Sequence, residues 1–345
     1  MQLSDFDYKL PDEFIARYPP PHREDSRLLI LQRKDGIIQD KKFTSLPEYL
    51  RAGDALVLNE TRVIPARLSG IREKTGAHIE IFLLHKQADR TDMWHVLAMP
   101  AKKVKQGEKI KINDDLSCKV AEELSEGERV VEFFSASGNV ENAIETAGAM
   151  PIPPYLKRDA EALDRERYQT VFAKITGAVA APTASLHFTE ELLRQIEASG
   201  ITIVKVLLHV GLGTFRPVEV EDITEHKMHS EYFEVSKEAA EKINKTKKNG
   251  GRIIAVGTTA ARTLESAAND KSEVIAQSGE TSIFIYPPYQ FKVVDALITN
   301  FHQPKSTLLM MISAFAGYEN VMKAYRHAIE EKYRFLSYGD AMMIV

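Results

Sequence analysis

The sequence predicts an α/β fold: a discontinuous α/β sheet domain carrying a small inserted antiparallel β-barrel. Three observations support this. Residues 176–218 read as strand, polar turn, helix, strand and polar turn, the rhythm of an α/β unit. Between about residue 65 and residue 138 the texture changes to five or six short alternating runs separated by turn clusters, which is how a small barrel or sandwich reads. Beyond residue 237 helical and apolar strand-like runs alternate again, ending on AMMIV. The expected division is residues 1–62 with 148–345 as the α/β domain and 63–147 as the insertion. A length of 345 residues suits two such units.

Each element has a local cause. The run LLIL at 28–31 is a strand, and Asp35–Gly36 turns it into a hairpin. A short helix is expected over 46–50, then a strand over 55–58 that ends in Asn59, Glu60, Thr61 and Arg62. Within the insertion, ARLSGIRE, HIEIFLL, MWHVLAM, EKIKI, SCKVAEEL and RVVEFF are the candidate strands. Residues 140–147 read as a helix, followed by the proline-rich exit MPIPPYLKR. The apolar run 178–181 leads into Pro182, Thr183, Ser185 and His187. Thr189 is placed to cap a helix whose first turn, Glu190 and Glu191, suits the positive end of the helix dipole, and Gly200 ends it. Residues 201–208 form a buried strand that runs into His209, Gly211, Gly213, Thr214 and Arg216. A helix over 237–249 stops at KKNGG, a strand over 252–256 meets Gly257, Thr258 and Thr259, and a helix over 260–268 follows. Further strands are expected at 282–285 and 293–298, the second ending in Thr299, Asn300, Phe301 and His302. Ser306 or Thr307 caps a helix over 308–314, and another helix spans 321–331.

Polar residues therefore gather at several strand ends, the edge where open α/β sheets bind ligands. His187 and His209 are the leading acid/base candidates, because histidine titrates near neutrality; the competing reading is two packed histidines. Strand, Gly257–Thr258–Thr259 and helix is an anion-binding arrangement, or else ordinary capping. The GLG at 211–213 is a poor dinucleotide fingerprint, since Arg216 stands at the third glycine position. His226 and His229 lack the carboxylate pattern of zinc enzymes, and no metal is expected. Lys102, Lys103 and Lys105 on the insertion, and Lys245, Lys247 and Lys248 near a helix end, are candidate phosphate contacts; solvated edges are the alternative.

Composition narrows the class. Hydrophobic residues make up 44% and charged residues 27%, as in ordinary globular domains. One cysteine, Cys118, rules out an intrachain disulfide and a cysteine-rich zinc site, and fits a reducing compartment. The acidic start MQLSDFDYKLPDEF has no apolar signal region, so a cytoplasmic location is expected. A net charge of −4 means that any nucleic-acid contact must come from a local basic face.

The motifs APTASLHFT (181–189), HVGLGTFRPV (209–218), GTTAARTLES (257–266), DALITNFHQPKSTLLM (295–310) and YRFLSYGDAM (333–342) closely resemble the tRNA ribosyltransferase-isomerase family of bacterial queuosine synthesis. FDYKLPDEFIARYP, DSRLL and GDALVLNETRVIPARL extend the likeness to nearly the whole chain. Ser185 and Pro288 stand where the family usually has glycine. The resemblance implies an α/β domain interrupted by a β-barrel and a monomer. It implies transfer and isomerisation of the ribosyl group of S-adenosylmethionine, a co-substrate, onto 7-aminomethyl-7-deazaguanine at the tRNA wobble position, giving epoxyqueuosine, adenine and methionine.

That chemistry needs a base beside the sulfonium, held sugar hydroxyls, a site for the methionine carboxylate and exclusion of water. His187, His209 and Asp340 are the candidate acid/base residues. Thr183, Thr214, Thr258 and Thr259 could hold hydroxyls or the carboxylate, Arg216 or Arg262 an anion, and Asn300 and His302 a base edge. Two rivals are a methyltransferase on an α/β fold, opposed by the missing glycine-rich first turn, and a non-catalytic RNA-binding module, opposed by the several polar strand ends.

Overall fold

In a computed structural model, the described residues are 1–345 except 88, 89, 212 and 214–217. Thr214 and Arg216 thus lie outside the described residues. A nine-stranded sheet runs in the order Gln277–Thr281, Glu231–Val235, Thr202–Leu208, Ala55–Asn59, Ile253–Val256, Ala296–Asn300, Ala341–Ile344, Arg27–Leu31, Ile38–Lys42. Thr202–Leu208, Ala55–Asn59, Ile253–Val256 and Ala296–Asn300 are parallel neighbours, so their carboxyl ends share one edge.

The strand alternation shows why the sheet is central. Leu29, Leu31, Ala55 and Val57 join a core under helices Lys237–Lys248, Gly257–Ser266, Thr307–Ala316 and Tyr318–Glu330. Their neighbours Leu28, Ile30, Leu56 and Leu58 join the opposite core, closed by Phe43, Leu46, Phe188, Leu192 and Ile196. Both faces are covered, which is why Ala55–Leu58 and Ile253–Val256 are apolar without a break. Helix Glu190–Ala198 is capped as expected: the Thr189 hydroxyl accepts from the Leu192 N–H at 3.1 Å.

The insertion is a closed six-stranded antiparallel barrel, Glu128–Ser135, Arg90–Met99, His78–Gln87, Arg67–Arg72, Lys109–Lys111 and Leu116–Glu123. Its interior takes alternate residues such as Leu116, Cys118 and Val120, and helix Val140–Ala147 stoppers it with Ala143 and Ile144. Val179, from the sheet domain, packs into the same core and stitches the two units together.

Some elements differ from expectation. Residues 282–285 are not a strand; the edge strand is Gln277–Thr281, which pairs with Glu231–Val235. Ile285 is buried in the main core instead, so that apolar run packs a loop. Glu231–Val235 alternates buried and half-exposed residues around two glutamates, a pattern masked by polarity. The strand expected at 293–298 is Ala296–Asn300, because Glu265 draws the N–H groups of Lys292, Val293 and Val294 away from the sheet. The strand expected at 178–181 is Ile175–Ala178, parallel to Thr61–Val63 in a separate two-stranded sheet. Helix Gly257–Ser266 begins three residues before the position expected for it.

Candidate functional site

At the carboxyl edge of the sheet lies a small cleft of about 90 Å3. Three strand-end segments build it. Ile253–Val256 ends at Gly257, whose φ of +87° a side chain would strain, and helix Gly257–Ser266 starts there with Val256 as a cap that offers no side-chain acceptor. Thr258 and Thr259 line the cleft at that uncapped end. Ala296–Asn300 delivers Thr299, Asn300, Phe301 and His302. Pro182, Thr183 and Ala184, after strand Ile175–Ala178, complete a third wall.

The hydrogen bonds show which groups are free to act. The Asn300 amide donates to the carbonyls of Leu336 (2.8 Å) and Ser337 (3.3 Å), fixing another wall. Its Oδ1 can then only accept, from His187 Nε2 at 3.2 Å. Burial pushes the His187 pKa down to about 4, only partly opposed by the Asn300 contact. The ring is therefore neutral, with Nε2 donating and Nδ1 accepting from the Ser26 hydroxyl at 2.9 Å. Both nitrogens are engaged, one of them on Asn300, and His187 does not line the cleft. His302 does line the cleft; its Nε2 meets Thr299 Oγ1 at 2.8 Å and burial pushes its pKa down to about 3. Its backbone is clasped by Tyr325, which accepts from the N–H at 2.8 Å, and by Tyr8, which donates to the carbonyl.

Two further expectations are corrected. Asp340 is not a free base: it is 2% exposed, and its carboxylate accepts from the N–H groups of Arg27 (3.0 Å) and Arg334 (2.8 Å) and from the Arg334 guanidinium (3.3 Å), away from the cleft. Arg262 does not line the cleft either; it is ion-paired with Glu231, and both are almost wholly buried. Glu231 also accepts from the Gly211 N–H at 2.9 Å, so the pair anchors the turn after His209.

His209 faces a different and larger space, a groove of about 800 Å3 between barrel and sheet. Its Nδ1 meets Thr61 Oγ1 at 2.8 Å, its ring stacks on Tyr232, and burial lowers its pKa, opposed by Glu234. The groove also holds Arg62, His85, Lys86, Trp94 and Lys174. The next residue, Val210, lines the cleft, so the two cavities are neighbours across one strand end.

A family model described as "Queuosine biosynthesis protein" matches residues 3–344. The chain belongs to that family. Over 346 residues, covering 100% of both chains, it is 54% identical to a protein of Symbiobacterium thermophilum named S-adenosylmethionine:tRNA ribosyltransferase-isomerase. It is also similar to the crystal structure of S-adenosylmethionine tRNA ribosyltransferase from Thermotoga maritima, with 39% identity, a TM-score of 0.57 and coverage of 99% of this chain and 100% of that one.

In this queuosine-family chain the two lysine clusters fall away from both cavities. Lys245, Lys247 and Lys248 end a helix just before Ile253–Val256 begins, with Gly251 packed against Gly53, so they sit at the sheet edge opposite the cleft. Lys102 and Lys103 stand on a short turn that the buried Arg129 pins through the carbonyls of Ala101 (2.9 Å) and Val104 (2.7 Å); Lys105 pairs with Glu123 at 3.0 Å. Ser185 keeps a negative φ, so the His187 turn does not need glycine there. Sequence reasoning missed Tyr155, Tyr168 and Ser337, which line the cleft from far along the chain; Ser337 lies inside the motif at 333–342, where its neighbour Asp340 drew the attention, and the two tyrosines carry no motif of their own. Among the described residues, no three His, Cys, Asp or Glu side chains gather as a metal site, and no helix is long and apolar enough to cross a membrane.

Proposed function

We infer that this chain transfers and isomerises the ribosyl group of S-adenosylmethionine onto tRNA bearing 7-aminomethyl-7-deazaguanine at the wobble position, releasing adenine and methionine. The observation that carries the reading is 54% identity over the full length of a relative named for that activity. The cleft supports it. The uncapped helix start at Gly257–Thr259 suits the methionine carboxylate, Thr183 and Thr258 suit sugar hydroxyls, and Asn300 and His302 offer fixed polar edges. The enzyme acts as a cytoplasmic monomer. The test is a product assay with purified protein, S-adenosylmethionine and the precursor tRNA. Adenine, methionine and a wobble nucleoside heavier by the epoxycyclopentanediol are expected; S-adenosylhomocysteine would mark a methyltransferase instead.

The tRNA is read as entering by the groove, with Arg62, Lys86 and Lys174 near its phosphates and the wobble base passing His209 toward the donor in the cleft. Trp94 is the sole tryptophan and lines this groove, so its fluorescence should change when an anticodon stem-loop binds. Lys174→Glu should weaken that binding about tenfold and flatten its salt dependence, whereas Lys248→Glu should not. Equal effects of the two variants would return the tRNA to the opposite edge.

His209 is proposed as the proton acceptor on the tRNA side: burial lowers its pKa and so favours the neutral ring that accepts a proton. His209→Ala should cut turnover about 100-fold with an unchanged melting temperature. Gly177→Ala should do nearly as much, since a Cβ there would stand 2.6 Å from His209 Nε2. Full activity in both variants would remove His209 from the mechanism.

A further inference from the structure

Tyr168 caps the short helix Ala162–Arg167 in the segment that returns from the barrel, and it lines the cleft. It is 0% exposed, yet its hydroxyl has no hydrogen-bond partner among the described residues. The Ala181 backbone and the Ser337 side chain lie close enough to the phenol to pull its pKa down a little, but neither reaches hydrogen-bond geometry. A buried hydroxyl left unpaired is costly, on the order of 1–3 kcal/mol, and native proteins seldom carry one without use. A second unpaired hydroxyl, Thr259 Oγ1, lines the same cleft at the helix start.

The ring of Tyr168 is held firmly although its oxygen is not. Its N–H donates to the Asp164 carbonyl at 2.9 Å, and it packs edge-on against Tyr338 with centroids 6.0 Å apart. Tyr338 donates to the Asp164 carboxylate at 2.7 Å, and Arg158 grips that carboxylate with two bonds of 2.7 and 2.8 Å. Tyr155, its neighbour in the cleft wall, is already satisfied by the Ser337 hydroxyl at 2.6 Å. Burial raises the Tyr168 pKa, so the phenol keeps its proton throughout the working range and can donate it to a hydrogen bond.

We propose that Tyr168 is a preorganised hydrogen-bond donor for S-adenosylmethionine, with Thr259 as its counterpart across the same cleft. The assignment rests on the functional reading above and adds a residue to it. Donor recognition then depends on the return from the barrel, so docking of the inserted barrel sets the geometry of a site in the other domain.

The test is Tyr168→Phe, which removes one oxygen and nothing else. Because that oxygen is unpaired in the free protein, the variant should melt at the wild-type temperature or slightly above it. Its affinity for S-adenosylmethionine, titrated without tRNA, should fall about tenfold, its KM for S-adenosylmethionine should rise to match, and its KM for tRNA should stay unchanged. Tyr155→Phe should show the reverse pattern: a lower melting temperature, from the lost Ser337 bond, with a smaller effect on donor affinity. If wild type binds the donor and Tyr168→Phe binds it equally well, the proposal falls and the functional reading survives. If Tyr168→Phe melts several degrees lower, the hydroxyl is a structural bond and the proposal falls as well. If wild-type protein neither binds the donor nor releases adenine, the functional reading itself fails and takes the proposal with it.

Discussion

Asp164→Ala is expected to lower the unfolding free energy by about 3–5 kcal/mol, the usual cost of removing one partner from a buried ion pair. The carboxylate is 0% exposed and accepts four hydrogen bonds: two from Arg158, one from the Tyr338 hydroxyl at 2.7 Å and one from the Glu161 N–H at 2.8 Å. Burial alone would raise its pKa, but these donors together hold it below the usual carboxylate range. Removing it strands a guanidinium that is itself largely enclosed. Urea denaturation at pH 7 checks this, with the midpoint falling in proportion. Asp164→Leu combined with Arg158→Met should recover much of the loss, because an apolar pair of similar size replaces the ionic one. A loss below about 1 kcal/mol would mean that water reaches the pair. Donor affinity should fall as well, since Tyr338 supports the ring of Tyr168.

The second large effect is acid sensitivity. His187 is held near pKa 4 and His302 near 3 by burial. In the unfolded chain both return to about 6.5. The unfolded state therefore binds more protons between those values, and stability falls as pH falls through that window. The contribution is complete above about pH 6.5 and drains away toward pH 4, by roughly 3 kcal/mol for each ring. The paired carboxylates Asp54 and Asp164 are depressed, so their share is lost only below about pH 4. Urea midpoints between pH 7.5 and 4 should thus begin to drop near pH 6, well before carboxylate titration. His187→Gln should flatten the upper part of that decline. A stability constant from pH 7 to pH 5 would contradict the neutral-ring assignment.

These cases show what the sequence disclosed and what it withheld. Periodicity and capping were legible wherever they are local: Thr189, Ser306 and Gly200 mark helix ends that depend on their nearest neighbours. The strand ends were legible for the same reason, and Thr183, Thr258, Thr259, Asn300 and His302 do meet in one cleft. A histidine's role was not legible, because it depends on what surrounds the ring. His187 and His209 sit in similar-looking turns, yet one is locked between Ser26 and Asn300 while the other opens on a groove. Asp340 and Arg262 look free in sequence because Arg334 and Glu231 reach them only through the fold. The lysines near residue 248 lie on the sheet edge opposite the cleft because strand direction, which the sequence does not show, decides the edge on which a helix end emerges.

Strand Ala341–Ile344 lies between Ala296–Asn300 and Arg27–Leu31, antiparallel to the first and parallel to the second. In a growing chain the hairpin of Arg27–Leu31 and Ile38–Lys42 emerges early, and almost everything else must be translated before its other neighbour exists. Until then the strand keeps an open edge and uncovered apolar faces at Leu28–Leu31, a sticky template while the ribosome is still at work. A chain that stops before residue 341 therefore lacks the strand that joins the Arg27–Leu31 hairpin to the rest of the sheet, and its sheet is left in two unjoined parts.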